Sequence, residues 1–280
     1  MAQRGGRGGA RGHGLPTADP PRYTPAVPPA PLPPHLPAPL VVAREPAWLA
    51  LSKPAGLPVF PPHDDPGGDC VLARLLREEP AQDRPDWPAG FEGGIAHRLD
   101  TATSGLLLAA ASPEALATLR ARFASHQLVK RYLLLSWRDV PWDHHEVVAP
   151  LAHDARRKAR MVVQRGRDTP HRGRWLPART SFTRRGGLSL PEGGLALFEA
   201  RMQTGVMHQI RAHAAFAGLA LAGDGLYGGG APTPAAQAFA REAGLAAPPF
   251  HLHHLGLSGP DLCPPELPAP AWWPVGSARW

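Results

Sequence analysis

The chain contains 280 residues, 43% of them hydrophobic, which is enough to bury the core of one large domain or two smaller ones. Its two cysteines, Cys70 and Cys263, form neither a CxxC pair nor a metal-ligand spacing, so we expect a reduced, cytoplasmic protein. No apolar run approaches the roughly 18 residues that cross a bilayer. The N-terminus also lacks the apolar core of a signal peptide, and we expect no membrane partner.

Positive charge is concentrated in one segment. The net charge is +7, and residues 156–185 hold eleven arginines and lysines against a single acid, Asp168. A dense basic patch is the usual footprint of a polyanion partner, because each neutralised phosphate releases counterions. The same composition also fits a solvated arginine-rich loop, but a nucleic-acid partner is the better interpretation.

The first 46 residues differ in composition from the rest of the chain. They contain twelve of the 36 prolines, with Gly and Arg at the start and few large hydrophobic residues. Such a segment cannot bury enough apolar area to offset the entropy that it would lose on ordering. We therefore expect a disordered N-terminal extension over residues 1–46 and one folded domain over residues 47–280.

Downstream, the apolar pattern predicts strands and helices in irregular alternation. Residues 106–111 (LLLAAA) fit a buried strand, and residues 112–127 fit a helix with Ser112 as N-cap and Pro113 in the first turn. Further strands are predicted within LVKRYLLLSW, ARMVVQ, ARTSFTRR and GLALFEARMQ, and a second helix within HQIRAHAAFAGLALAG. This order favours an α+β fold with a mixed, largely antiparallel sheet and flanking helices.

The stretch HRLDTATSG, residues 97–105, places a base and an acid two positions apart. In an extended segment Arg98 and Asp100 project from the same face, while Leu99 points the other way into the core. A surface ion pair at a strand end would look the same, and most exposed pairs of this kind mark no function. The pattern alone leaves both interpretations open.

Six stretches carry a more specific signal: LSKPAGLPV, HRLDTATSGLLL, KRYLLL, TGVMHQIRAH, GDGLYGG and LHHLGL. In order and approximate spacing, from about residue 48 onward, they resemble the RluA-like pseudouridine synthases. The resemblance implies the α+β fold of that family with a central cleft. It also implies isomerisation of specific uridines to pseudouridine in structured ribosomal or transfer RNA. Because nothing is oxidised or hydrolysed in this reaction, we expect no cofactor and no metal. We also expect a monomer.

The resemblance also assigns the catalytic side chains. Asp100 matches the essential carboxylate, and Arg211 matches the arginine that keeps this carboxylate charged despite burial. Tyr132 matches the active-site tyrosine, whose ring can stack on uracil and whose oxygen is a candidate base for the proton at C5. Asp100 would act by covalent attack or by removing a ribose proton, and both mechanisms stay open.

Other residues are expected to bind RNA. Arg98 matches the residue that fills the space left when the target base is extruded, and His97 is expected to orient the loop. Lys53 and Lys130 are predicted to contact RNA, although a solvated lysine fits Lys53 equally well. The basic segment supplies four further predicted contacts, Arg156, Arg157, Lys158 and Arg160. The GDGLYGG stretch is expected to be architectural, with Asp224 satisfying local backbone donors.

The sequence departs from the family pattern at several positions. Val206 and Met207 stand where a basic residue and a threonine are common, and Thr101 and Ala102 replace a polar or charged pair. Pro249 stands where an arginine is frequent. These changes remove predicted RNA contacts but leave the three catalytic side chains in place, so they affect substrate choice more than reaction class.

Two other functions compete with this interpretation. The first alternative is a metal-dependent hydrolase, because the chain has fourteen histidines, with DHH at 143–145 and HLHH at 251–254. No HExxH or paired-cysteine pattern accompanies these histidines. A non-catalytic RNA-binding protein on the same scaffold would explain the basic patch and the departures at 206 and 207. It would not require Asp100, Tyr132 and Arg211 together, so an enzyme is the better interpretation.

Overall fold

A computed structural model describes residues 40–190, 193–242 and 250–273. The strands are β1 (Val41–Glu45), β2 (Trp48–Lys53), β3 (Ser104–Ala110), β4 (Val129–Ser136), β5 (His144–Val148), β6 (Leu151–Asp154), β7 (Met161–Val163), β8 (His171–Leu176), β9 (Arg179–Leu190), β10 (Gly193–Met202) and β11 (Leu252–Ser258). The helices are α1 (Val71–Glu78), α2 (Pro113–Ala124), α3 (Gln209–Phe216) and α4 (Pro234–Glu242), with short 3-10 turns at Pro80–Gln82 and Glu92–Gly94. None of the helices in these ranges is long and apolar enough to cross a membrane.

Two sheets organise the described residues. The larger has eight strands in the order β1-β2-β3-β11-β4-β10-β9-β5, and the smaller has three in the order β7-β6-β8. Strands β3 and β11 are parallel, and the other neighbouring pairs are antiparallel. The predicted α+β fold with a mixed, largely antiparallel sheet is therefore confirmed.

The buried strand predicted at LLLAAA is β3, near the centre of the large sheet. Leu107 and Ala109 belong to one core cluster, whereas Leu106 and Leu108 belong to a second cluster on the other face. A strand covered on both faces needs a continuous apolar run rather than an alternating one. Gly105, the second residue of this strand, adopts φ +117°, and a Cβ there would lie 2.2 Å from the carbonyl oxygen of His254. The glycine therefore permits the close approach of β11.

Helix α2 begins as predicted. The Ser112 hydroxyl accepts a hydrogen bond from the Ala115 amide at 3.2 Å, and Pro113 occupies the first turn. Leu116 and Leu119 are buried in the cluster behind β3.

Two helices were not predicted, and a third is shorter than predicted. The N-cap of α1 is the thiol of Cys70, a weak acceptor that gives little signal in the sequence. Helix α4 was missed as well. Helix α3 ends at Phe216, because Gly218 adopts φ +87° and the chain continues without helix to a bridge between Leu221 and Ser136.

Part of the predicted N-terminal extension forms a strand. Residues 1–39 of the predicted extension lie outside the described residues. Val41–Glu45, inside the predicted extension, forms β1 and pairs with β2. The amides of Leu40 and Val41 donate to the Glu78 carboxylate at 3.1 and 3.2 Å. Tertiary pairing thus orders residues whose local composition favours disorder.

A buried carboxylate on the sheet face opposite the Tyr132 side chain is surrounded by arginines. Glu199, on β10, is 2% exposed and accepts from the Nε atoms of Arg131, Arg185 and Arg201 at 2.8, 3.0 and 2.7 Å. Burial alone would raise the pKa of Glu199, but these hydrogen bonds outweigh it and hold the pKa at about 2. The charged carboxylate therefore stabilises the fold.

Substituting Glu199→Gln removes a stabilisation that depends on pH. The folded pKa lies below the ordinary 4.5, so the stabilisation is present above pH 4.5 and is lost as pH falls through 2. The wild type is more stable than the variant at neutral pH, and this difference in free energy of unfolding decreases by about 3 kcal/mol as pH falls from 4.5 to 2. Urea unfolding across this pH range measures it. Glu266→Gln, at a 56% exposed partner of Arg131, is the control and changes stability by less than about 1 kcal/mol.

Candidate active site

A cleft of about 1310 Å³ lies between the HRLD segment, helix α2 and the start of helix α3. Its lining includes six of the predicted site residues, His97, Arg98, Asp100, Lys130, Tyr132 and Arg211. Lys53, Arg156, Arg157, Lys158 and Arg160 are not part of this lining. The fold therefore brings six of the predicted residues together at the cleft and places the other five elsewhere.

The HRLD segment presents its residues as the alternation predicts. Leu99 is 7% exposed and packs in the core, whereas Arg98 is exposed and Asp100 faces the cleft. Within the described residues, Arg98 has no hydrogen bond or ion pair to another protein group. Asp100 instead contacts Arg211, so the surface ion pair considered as an alternative does not form.

Arg211 is held between two carboxylates. Its Nη1 donates to Asp100 Oδ2 at 3.2 Å, while Nε and Nη2 donate to the two oxygens of Asp224 at 2.6 and 2.8 Å. The guanidinium also lies over the rings of Tyr227 and Phe250, 5.1 and 4.5 Å from their centroids. The bidentate contact with Asp224 and the packing on two aromatic rings fix its orientation. In this orientation Nη1 points an N–H at Asp100.

Asp224 is the residue that sequence reasoning underestimated. It does accept from a local donor, the Leu226 amide at 3.2 Å, as predicted. Its main contact is the bidentate pair with Arg211, and its side chain is 1% exposed. Gly229 lies in the same turn, where a Cβ would sit 1.7 Å from the carbonyl oxygen of Leu221. Gly229 therefore permits the tight turn of the GDGLYGG stretch, and this turn places Asp224 against Arg211.

Lys53 does not contact solvent, and its predicted role in binding RNA is wrong. It is 1% exposed, and Nζ donates to the carbonyl oxygens of Pro54, Thr101 and Thr103 at 3.0, 2.8 and 2.7 Å. Burial lowers its pKa to about 7, with the Asp100 carboxylate opposing the shift. Two of its acceptors follow Asp100 in the chain. Lys53 therefore fixes the turn that carries the carboxylate.

Tyr132 projects from β4 into the cleft. Its ring stacks on His254, with centroids 4.4 Å apart and an angle of 21° between the ring planes. His254 Nδ1 lies 2.5 Å from the Leu106 carbonyl oxygen, so this nitrogen carries the proton that it donates. Burial, and then the Asp100 carboxylate, raise the pKa of Tyr132 well above its ordinary value. The hydroxyl is therefore protonated at neutral pH.

Two further cleft residues are held by the backbone. His97 Nε2 accepts from the Leu108 amide at 3.1 Å, which ties the HRLD segment to β3. Lys130 Nζ donates to the Thr204 carbonyl oxygen at 2.7 Å and lies 5.8 Å from the Phe123 ring. Burial lowers the pKa of Lys130 to about 8. Lys130 therefore lines the cleft while Nζ donates one hydrogen bond to the backbone.

The basic segment divides into neutralised and free cations. Arg179 pairs with Glu146 at 2.6 Å, Arg184 with Asp139 and Asp143, and Arg185 with Glu199. Arg156, Arg157 and Lys158 lie exposed in the turn between β6 and β7, whereas the partly exposed Arg160 pairs with Asp154 at 3.4 Å. The free positive charge therefore lies on the three-stranded sheet.

The histidines that suggested a metal site are bonded to protein groups. His253 contacts the Ser104 hydroxyl at 2.9 Å and the Leu267 carbonyl oxygen at 3.0 Å, and His251 contacts Thr233 at 3.3 Å. Among residues 40–190, 193–242 and 250–273, no group of three or more His, Cys, Asp or Glu side chains is arranged to hold a metal ion.

The departures from the family pattern lie on the cleft wall. Thr101, Ala102, Val206 and Met207 all line the cleft, and the Met207 side chain is 41% exposed. Pro249 lies outside the described residues. This part of the wall therefore offers apolar contact where a basic residue is common.

Breaking the Arg211–Asp224 pair should destabilise the fold strongly. Asp224→Asn leaves a buried guanidinium without its bidentate carboxylate, which costs about 3–5 kcal/mol of unfolding free energy. Urea unfolding measures the loss. Asp86→Asn, at an exposed pair with Arg84, is the matched control and should leave the free energy of unfolding nearly unchanged. Equal effects of the two substitutions would contradict this account.

Several known proteins resemble this chain in sequence. A family model described as RNA pseudouridylate synthase matches residues 47–216. The chain is 36% identical over 139 residues to the chloroplastic RNA pseudouridine synthase 2 of Oryza sativa subsp. japonica, covering 49% of this chain and 29% of that protein. It is 30% identical over 220 residues to the ribosomal large subunit pseudouridine synthase D of Zymomonas mobilis, covering 79% and 65%.

Coverage of the relatives differs widely. The chain spans less than two thirds of the length of the Oryza and Zymomonas proteins. An uncharacterized RNA pseudouridine synthase of Synechocystis is 30% identical over 240 residues, and the match covers 82% of this chain and 75% of that protein.

Solved structures share the fold. Human RNA pseudouridylate synthase domain containing 1 superposes with a TM-score of 0.61 at 21% identity, covering 84% of this chain and 86% of its own. Human RNA pseudouridylate synthase domain containing 4 gives a TM-score of 0.53 at 23% identity, covering 78% and 82%. With the family model matching more than half of its residues, this chain belongs to the RNA pseudouridylate synthase family, within the RluA-like group that its motifs predict.

Proposed function

We propose that this chain converts specific uridines of ribosomal RNA to pseudouridine, with Asp100 as the catalytic carboxylate. The observation that carries the proposal is the Asp100–Arg211–Asp224 arrangement, in which a fixed guanidinium faces a carboxylate on the wall of an open cleft. Relatives named ribosomal large subunit pseudouridine synthase D favour ribosomal over transfer RNA.

The reaction needs an ionised carboxylate and a rotated base. The N1–C1′ bond of uridine breaks, a C5–C1′ bond forms, one proton leaves C5 and one is taken up at N1. Asp100 serves as the nucleophile or as the base that removes a ribose proton. Arg211 supports either role, because its cation stabilises the charged form of Asp100 in a partly buried site.

Tyr132 is proposed to hold the base during its rotation. Its ring is already supported from one side by His254 and can offer its cleft side to uracil. Because the raised pKa keeps the hydroxyl protonated, stacking is better supported than removal of the C5 proton by the tyrosine oxygen.

Base extrusion is proposed to involve Arg98. A base inside a helix has to leave its stack before Asp100 can reach it, at a free energy of about a few kcal/mol. Arg98 is exposed at the cleft next to Asp100, and its planar guanidinium can stack in the space that the base leaves.

The alternative of a non-catalytic RNA-binding protein is tested by one substitution. Asp100→Asn preserves shape and an acceptor for Arg211 but removes the carboxylate. Pseudouridine formation in unmodified large-subunit ribosomal RNA should fall by about 10²–10⁴-fold or more. RNA affinity, measured by fluorescence anisotropy, should stay within about twofold, because phosphate contacts dominate affinity. A variant that keeps the wild-type rate would overturn the proposal.

The three-stranded sheet is proposed to dock the RNA backbone. Replacing Arg156, Arg157 and Lys158 by alanine should weaken binding, and the slope of log affinity against log salt should decrease by about 0.7–0.9 for each phosphate that is no longer neutralised. Arg179→Ala is the matched control within the same basic segment. Its charge is already neutralised by Glu146, so its slope should equal that of the wild type.

A further inference from the structure

His208 occupies an unusual position at the edge of the cleft. It is the N-cap of helix α3, with φ 52° and ψ 21°, a left-handed conformation that side chains with a Cβ adopt rarely. Its ring lines the cleft and its side chain is 14% exposed. Strained backbone that persists in a functional cleft points to a side chain whose placement matters.

The two ring nitrogens of His208 face different partners. Nε2 lies 3.7 Å from Asp100 Oδ2, and Nδ1 lies 3.1 Å from the Tyr227 hydroxyl oxygen. That hydroxyl oxygen also accepts from the Met161 amide at 2.9 Å. Since the amide supplies its own proton, the Tyr227 proton is free to be donated to Nδ1. The proton of the neutral ring then lies on Nε2, which faces the carboxylate.

The surroundings of His208 favour the neutral ring. Burial is the largest influence and lowers its pKa. The carboxylates of Asp100 and Asp224 raise this pKa, and Arg211 and His153 lower it. A neutral imidazole with a protonated Nε2 is a hydrogen-bond donor to Asp100. At 3.7 Å the contact is longer than a hydrogen bond, and contacts of this kind often shorten when substrate fills the cleft.

Tyr227 joins this pair to the three-stranded sheet. The guanidinium groups of Arg211 and Arg160 lie 5.1 and 5.6 Å from the centroid of its ring. Its hydroxyl is bonded to the first residue of β7. The orientation of His208 therefore depends on a sheet whose neighbouring turn is proposed to dock RNA.

We propose that His208 is a positioning residue, which orients the Asp100 carboxylate through Nε2–H, and that the Tyr227 hydroxyl selects this tautomer. The proposal rests on the proposed function for its kinetic readout. His208 would be a second donor to Asp100 beside Arg211. His208 is the N-cap of α3, and Arg211 lies in the first turn of the same helix.

Two amide variants separate positioning from backbone strain. His208→Gln places an amide N–H near the position of Nε2, whereas His208→Asn reaches only as far as Nδ1. Asparagine tolerates the left-handed backbone better than glutamine does. A purely structural role therefore predicts that the Asn variant is the more active, and a positioning role predicts the opposite.

The expected result is a rate order of wild type, then Gln, then Asn. Single-turnover pseudouridine formation should fall by about 10–100-fold in His208→Asn, the range for losing a hydrogen bond to a charged group. It should stay within about tenfold of wild type in His208→Gln, with RNA affinity unchanged in both. An Asn variant as active as the Gln variant, at equal folded fraction, overturns the positioning role.

Tyr227→Phe tests the selection of the tautomer. It should slow the wild type more than it slows His208→Gln, because the glutamine amide needs no partner to choose its donor. Equal loss in both backgrounds overturns this part of the proposal.

A spectroscopic readout is independent of activity. The ¹⁵N signals of the His208 ring, assigned by their absence in His208→Asn, should report a protonated Nε2 and a bare Nδ1 in wild type. The reverse pattern overturns the inference even if no pseudouridine forms. Wild type without activity, but with a protonated Nε2, overturns only the proposed function.

Discussion

The site depends on one buried cation that has to be balanced. Arg211 is 8% exposed, and a guanidinium at that depth is stable only when its hydrogen bonds are satisfied by acceptors, preferably charged ones. Asp224 accepts two of these hydrogen bonds and Asp100 accepts another. Because Asp224 pairs with the cation whether or not Asp100 is engaged, Asp100 can contact a ligand in the cleft without leaving a buried charge unpaired.

A buried lysine holds the same loop through its backbone. Lys53 Nζ donates to the carbonyl oxygens of Thr101 and Thr103 in the turn after Asp100, so Lys53 fixes the backbone of that turn and Arg211 fixes the Asp100 side chain. The two contacts have different chemistry. Carbonyl acceptors set where the chain runs, and the guanidinium sets where the carboxylate points. Neither segment could hold Asp100 without the large sheet, since Lys53 ends β2 and Asp100 precedes β3.

The sequence could predict the features that have a local signal. The Ser112 cap, the buried run of β3 and the alternation in HRLD follow from neighbouring residues, and the structure has each of them. Features that arise from contacts between distant segments have no such signal. Lysine is rarely buried, so the sequence predicts an RNA contact for Lys53, and the three carbonyl groups that permit its burial converge only after folding. Asp224 likewise resembles a turn residue in the sequence, because its partner on α3 is brought near by tertiary packing.

Charge shows the same division between composition and arrangement. The basic segment has eleven cations in sequence, but pairing with Glu146, Asp139, Asp143 and Glu199 removes several of them from the exposed field. Within the described residues of this segment, the cations without a carboxylate partner lie on the three-stranded sheet and its turns, and Arg160, which pairs with Asp154, packs on the Tyr227 ring. Arg211 packs against the same ring. Under the proposed function, an RNA phosphate bound at the β6–β7 turn would lie near Arg160, and the Tyr227 ring would connect this RNA contact to Arg211 and Asp100.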